Sequence, residues 1–151
     1  MGCPESLSAL QHIDQNIAAL LYNATKSDEW TGYYQGWTAT RKNRSWFFRK
    51  TVTFAGTSNT ENIDMSVPFQ INRIEQVFND ATARDYSVRV ITEPSSVAYI
   101  ELDAQTVNTA LNTYLQAGIE YKYPANGRIQ LYWTNFTAGK TVTVNVQVDE
   151  V

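Results

Sequence analysis

The chain reads as a mainly β protein, an antiparallel β-sandwich or jelly roll with one N-terminal amphipathic helix. Three observations predict this. Beyond residue 28 the apolar residues recur with period two, most plainly at Val142, Val144, Val146 and Val148. Aromatics make up 13% of the residues against 18% charged, with Ser, Thr and Asn plentiful, a mixture suited to sheet faces and polar turns. Before residue 28 the period changes: Leu10, Ile13, Ile17, Leu20 and Ala24 follow steps of three and four, the seam of a short coiled coil.

With 151 residues there is room for one domain with a real core and not for a second. The expected organisation is a helix over 1–27 for oligomerisation or docking, an aromatic connector over 28–45, and a sandwich over 46–151. Ser6 is placed to cap the helix, and Ala18, Ala19 and Leu21 favour it. An isolated helix of this length is marginal in water, so its stripe must be buried, on its own β body or on copies of itself. The three-four spacing of Leu10, Ile13, Ile17 and Leu20 favours self-association, and Ile13 with Ile17 at the seam positions favours more than two strands.

The connector crowds Trp30, Tyr33, Tyr34 and Trp37 between Gly32 and Gly36, with Trp46 following. Such aromatics serve either as a sugar-stacking surface or as a hydrophobic plug or intersubunit contact. Residues 46–55 then alternate Val52 and Phe54 against Thr51 and Thr53, and Gly56–Thr60 turns the chain. Over 62–78, Met65, Val67, Phe69 and Ile71 share a face before the phase slips at Ile74 and Val77, which predicts a bulge or a corner. Residues 86–92 and 97–102 read as strands around the Glu93–Ser96 turn. Residues 104–117 carry Val107, Leu111 and Leu115 at helical spacing among Thr and Asn, and read as a short helix or an irregular crossover. After the turn signal Pro124-Ala125-Asn126-Gly127, the alternating runs at 129–133 and 142–148 read as a β-hairpin about Thr137–Lys140. The total is roughly seven or eight strands.

Chemistry is harder to find. A net charge of −3 leaves no electrostatic footprint for nucleic acid. The basic stretch of Arg41, Lys42, Arg44, Arg49 and Lys50 reads first as solvated charge flanking a strand, with local contact to an anionic partner as the alternative. The lone Cys3 and lone His12 cannot make an intrachain disulfide or a zinc site of the usual kind. No phosphate loop, dinucleotide fingerprint or nucleophile elbow occurs. Acids such as Asp80, Asp85, Asp149 and Glu150 fall in turns or on polar strand phases, and Glu101 with Asp103 makes only a weak case for calcium. The expectation is therefore no catalysis, no metal and no cofactor. The sequons at Asn23, Asn43 and Asn135 are what a chain this rich in Asn, Ser and Thr throws up by chance.

No run of about 18 apolar residues occurs and the start lacks a signal-peptide pattern, which predicts a cytosol-like site of synthesis with membrane insertion disfavoured. Met1-Gly2-Cys3-Pro4-Glu5-Ser6 does fit the myristoylation pattern, with Cys3 available for a second acyl chain. A dually acylated, membrane-anchored adaptor is thus a lesser alternative.

The run PFQINRIEQVFND…RDYSVRV, then SSVAYIELD and IEYKYPANGRIQLYWTNFTAGKTVTVNVQV, resembles small β-sandwich virion proteins of tailed bacteriophages, of the capsid-decoration or head-fibre type. The resemblance lies in texture and order of elements over about two-thirds of the chain, without a diagnostic motif. It implies a structural virion protein made in the host cytoplasm, a homo-oligomer with a trimer favoured, bound to the major capsid or another virion protein. The alternative is a carbohydrate- or receptor-binding module using Trp30, Tyr33, Tyr34 and Trp37.

Overall fold

The computed structural model describes residues 29–79, 84–93, 95, 98–107, 112–115 and 122–151. The N-terminal helix, with Leu10, Ile13, Ile17 and Leu20, and both Cys3 and His12, lie outside the described residues.

Among the described residues there are ten strands: β1 (Trp30–Tyr34), β2 (Trp37–Lys42), β3 (Ser45–Thr53), β4 (Ser58–Asp64), β5 (Phe69–Phe78), β6 (Arg84–Ile91), β7 (Ile100–Val107), β8 (Asn112–Leu115), β9 (Arg128–Thr134) and β10 (Thr141–Glu150). They form a six-stranded sheet in the order β1-β2-β3-β10-β5-β8 and a four-stranded sheet in the order β4-β9-β6-β7. Every strand pairing is antiparallel, and the two inner faces enclose one core. The expected sandwich is present.

Period two decides the layering. Val142, Val144, Val146 and Val148 are at most 2% exposed, and β10 lies between β3 and β5 at the centre of its sheet. Burying each valine contributes about 1.5–3 kcal/mol relative to leaving it in water. Trp37, Ala39, Phe48 and Val52 extend that face, and Ile63, Val88, Val90, Ile129, Leu131 and Trp133 oppose it from the other sheet. Polar links between side chains also cross between the layers. The Trp133 indole N–H donates to the Gln76 side-chain carbonyl at 2.7 Å, both residues being buried. Lys50 on β3 meets Glu61 on β4 at 2.7 Å.

The slipped phase after Ile71 comes from a bulge, and a corner precedes it. Between β4 and β5 the chain changes sheets across Met65–Pro68, a corner. Within β5 the register against β10 shifts, Gln147 facing Arg73 but Val148 facing Ile71, so Asn72 is the extra residue of a bulge. The Pro124–Gly127 turn is also present, with Asn126 at φ 66°.

Three expectations need correction. Strands β9 and β10 do not form a hairpin: β9 pairs with β4 and β6, whereas β10 pairs with β3 and β5. Each presents a buried face and needs a neighbour on both edges, so residues 135–140 arch from one sheet to the other. Residues 104–107 and 112–115 are strand rather than helix, β7 edging one sheet and β8 the other, so the chain does cross over between them. Finally, residues 30–42 are strands of the sandwich itself. The hairpin of β1 and β2 turns on Gln35 and Gly36, at φ 53° and 86°, the left-handed pair that a tight two-residue turn requires.

Candidate functional site

Four neighbouring strands, β2, β3, β10 and β5, turn their polar phase outward from the six-stranded sheet. Register places the side chains in two adjacent rows. In one, Thr40 lies beside Phe47, Phe47 beside Gln147, and Gln147 beside Arg73. In the other, Thr38 lies beside Arg49, Arg49 beside Asn145, and Asn145 beside Glu75. These eight residues line an open groove of about 470 Å³. Three strand spacings make it ~14 Å across.

Phe47 is the odd member. It is 45% exposed in a groove whose other outward residues are Thr, Arg, Glu, Asn and Gln, while its neighbour Phe48 is 1% exposed in the core. Around it the polar groups divide into engaged and free. Arg73 bonds Glu75 at 2.8 Å, and the Asn145 amide donates to the other Glu75 oxygen at 3.1 Å. Among the described residues, the side chains of Thr38, Thr40, Arg49 and Gln147 have no hydrogen-bonding or ionic partner.

The outer face of the four-stranded sheet is arranged differently, because its polar groups bind one another. Arg128 forks onto Asp64 at 2.7 and 3.2 Å, a contact that raises the Arg128 pKa chiefly through this hydrogen bond. Gln130 bonds Asn62 at 3.2 Å. Arg89 is stacked between Tyr99 and Tyr132, 4.1 and 4.6 Å from the ring centres, and its Nε donates to Ser87. Glu101 accepts from Ser87 and Asp103 from Tyr86, so the two acids serve separate donors instead of converging on a cation. Among the described residues no three His, Cys, Asp or Glu side chains form a metal-binding group.

The four aromatics singled out in the sequence do not make one platform. Alternation along β1 and β2 sends Trp30, Tyr34 and Trp37 to the inner phase and Tyr33 to the outer. Trp37 is fully buried, donates its indole N–H to the Asn62 carbonyl at 3.1 Å and packs beside Lys50, so it offers no ring face to a ligand. Tyr34 packs on Trp46 and Phe48 and donates its hydroxyl to the Asp64 carbonyl; burial, then the Asp64 charge, raises its pKa. Trp30 is 43% exposed with its ring edge-on to Trp46. Only Tyr33, 81% exposed and paired with Thr38, belongs to the groove's side of the sheet. Trp46 closes this end of the sandwich: its N–H donates to Glu150, which Arg41 holds by two bonds at 2.8 and 3.0 Å. Hydrogen bonding from Arg41, outweighing desolvation, lowers the Glu150 pKa.

Sequence reasoning missed Phe47, Asn145 and Gln147, and met Arg49 only as part of a basic stretch. A signal was present, since carrying the Thr51–Thr53 phase backward through WFFRKTVTF puts an aromatic on the polar side.

No protein-family model matches the chain, and no curated protein is similar to it in sequence. Solved structures with a similar strand arrangement include PirA, 8% identical, with a TM-score of 0.48 over 65% of this chain and 92% of that one. A family 16 carbohydrate-binding module is 12% identical, with a TM-score of 0.39 over 76% of this chain and 91% of its own. A CBM4 structure is 14% identical, with a TM-score of 0.32 over 87% and 83%. None is similar enough to transfer a function, and the virion assignment gains no support from them.

Proposed function

We propose that the chain is a non-catalytic saccharide-binding module whose ligand lies across the open face of the six-stranded sheet. A sugar ring has an apolar C–H face and a rim of hydroxyls. It calls for one exposed aromatic face surrounded by amide, hydroxyl and guanidinium groups. The observation that carries this reading is half-exposed Phe47 in a groove of about 470 Å³ beside the uncommitted Thr38, Thr40, Arg49 and Gln147. A groove of this size is in the range of small-ligand sites. A protein partner would call for a broader apolar centre than one ring. The stacking role given to Trp37 passes to Phe47, with Tyr33 extending the surface at the sheet edge.

A glycan array with the intact chain, followed by titration calorimetry on each hit, tests the proposal. Binding that falls at least about tenfold in Phe47→Ala is expected, the loss of one stacked ring being worth on the order of 1 kcal/mol or more. Absence of binding to any saccharide, or undiminished binding by Phe47→Ala, would overturn it.

One observation favours the assembly reading as well. Strand β1 ends its sheet, contains neither charge nor proline, and exposes Trp30 and Tyr33, features of an edge open to pairing. In that setting the module is a homo-oligomer, a trimer through Leu10, Ile13, Ile17 and Leu20, displayed on a virion. Light scattering on the intact chain and on the Ile13→Asp/Ile17→Asp variant tests the seam: the expected result is an oligomer that the variant reduces to monomer, and an unchanged oligomer removes the seam.

A further inference from the structure

We infer that the groove takes an anionic saccharide, its carboxylate or sulfate ester held by Arg49. The inference rests on the saccharide-binding reading and specifies its ligand.

The charges on this face do not cancel where a ligand would lie. Glu75 is occupied by Arg73 at 2.8 Å and by the Asn145 amide at 3.1 Å, so its negative charge is neutralised within the protein. Arg49 has no such counter-charge: its register neighbours are Thr38 on β2 and Asn145 on β10, both neutral. Asp149, the acid on the outward phase of β10, lies two residues beyond Gln147 and accepts from Ser45 at 2.7 Å. The floor of the groove therefore carries one unbalanced guanidinium in a chain whose net charge is −3.

Geometry makes that cation usable. Arg49 follows Phe47 by two residues on one strand, so both side chains leave the same face ~7 Å apart at their Cα atoms. A pyranose ring stacked on Phe47 would bring an exocyclic acidic group within reach of the guanidinium. The planar guanidinium fork matches a carboxylate or sulfate with two parallel hydrogen bonds, which an ammonium group does not reproduce. The opposite face supplies the contrast, since Arg128 and Arg89 are taken up by Asp64 and by the Tyr99–Tyr132 stack. Of these three outward arginines only Arg49 is left for a ligand.

The experiment is affinity electrophoresis and calorimetry of the intact chain against three sets of saccharides of matched length: uronate-containing, sulfated and neutral. Each is run with the wild type, Arg49→Gln, Arg49→Lys and Phe47→Ala. The expected result is a preference for one anionic set that weakens with added salt, with Arg49→Gln losing at least about tenfold and Arg49→Lys recovering only part of it. Which set binds distinguishes carboxylate from sulfate. Binding confined to neutral saccharides, lost in Phe47→Ala and unchanged in Arg49→Gln, would overturn the anionic ligand while leaving the saccharide-binding reading in place. Anionic binding unchanged in both Phe47→Ala and Arg49→Gln would place the contact elsewhere and overturn both. All variants are on the outward face, so matching melting curves separate loss of binding from loss of fold.

Discussion

The hydrogen bond from Trp133 to Gln76 offers the sharpest test of how the two sheets are locked. Its donor is on β9 and its acceptor on β5, strands of opposite sheets, and both residues are at most 1% exposed. Replacing Gln76 by Leu leaves the indole N–H buried without its acceptor, which costs about 1–3 kcal/mol. Replacing Trp133 by Phe leaves the Gln76 carbonyl without its donor, at a similar cost. It also shrinks a ring that packs edge-on against Phe54 at 5.8 Å, adding about 1–2 kcal/mol. The double variant has neither orphan, so it should be less destabilised than the sum of the singles by about 1–2 kcal/mol. Against a total stability on the order of 5–15 kcal/mol, each single change is visible. Urea unfolding of all four proteins, read by far-UV circular dichroism at a common m value, measures the coupling. Additivity to within about 0.5 kcal/mol would refute the bond as an energetic link between the sheets.

Two further predictions use neighbouring or titrating groups. Phe48→Ala should cost about 3–5 kcal/mol, whereas Phe47→Ala should cost under about 1 kcal/mol, because adjacent residues on one strand face core and solvent respectively; equal losses in thermal melts would contradict the assigned faces. Glu150 has a folded pKa below its ordinary value of 4.5, held down first by Arg41, so its contribution is full above that ordinary value and is lost as pH falls through the lower folded one. Glu150→Gln should therefore be less stable than wild type by about 1–2 kcal/mol at neutral pH, with the gap closing in acid; a gap independent of pH between 2 and 7 would exclude the ion pair as its cause.

Faces were legible in the sequence and partners were not. Alternation from Val142 to Val148 fixes which side of β10 is buried, and the slip after Ile71 marks the bulge at Asn72, because a one-residue change of phase flips every later side chain. Nothing in the alternation says which strand lies alongside. The Thr137–Lys140 turn is as compatible with an arch as with a hairpin, and only the need of β9 and β10 for neighbours on both edges decides it. The same limit hid the site. A crowd of aromatics from Trp30 to Trp46 draws attention by composition, yet strand phase sends Trp37 into the core and leaves Tyr33 in solvent. Residues 112–115 join the six-stranded sheet through pairing with β5, a tertiary demand that overrides the helical spacing of Val107, Leu111 and Leu115.

The two outer faces of the sandwich explain why function is assigned to one of them. Both are polar, and both carry arginines, so composition cannot separate them. On the four-stranded sheet, burial and pairing have used the polar groups to stabilise the face: Arg128 with Asp64, Gln130 with Asn62, Arg89 between two tyrosines. In the groove of the six-stranded sheet, the pairing stops at Arg73, Glu75 and Asn145, and the positions next to them hold a free guanidinium, a free amide and a ring in water. An exposed Phe on a strand surface contributes little to folding, and an unpaired Arg contributes less. Residues that do not account for the stability of the sheet are the ones available to recognise something else, and here they lie side by side across β3 and β10.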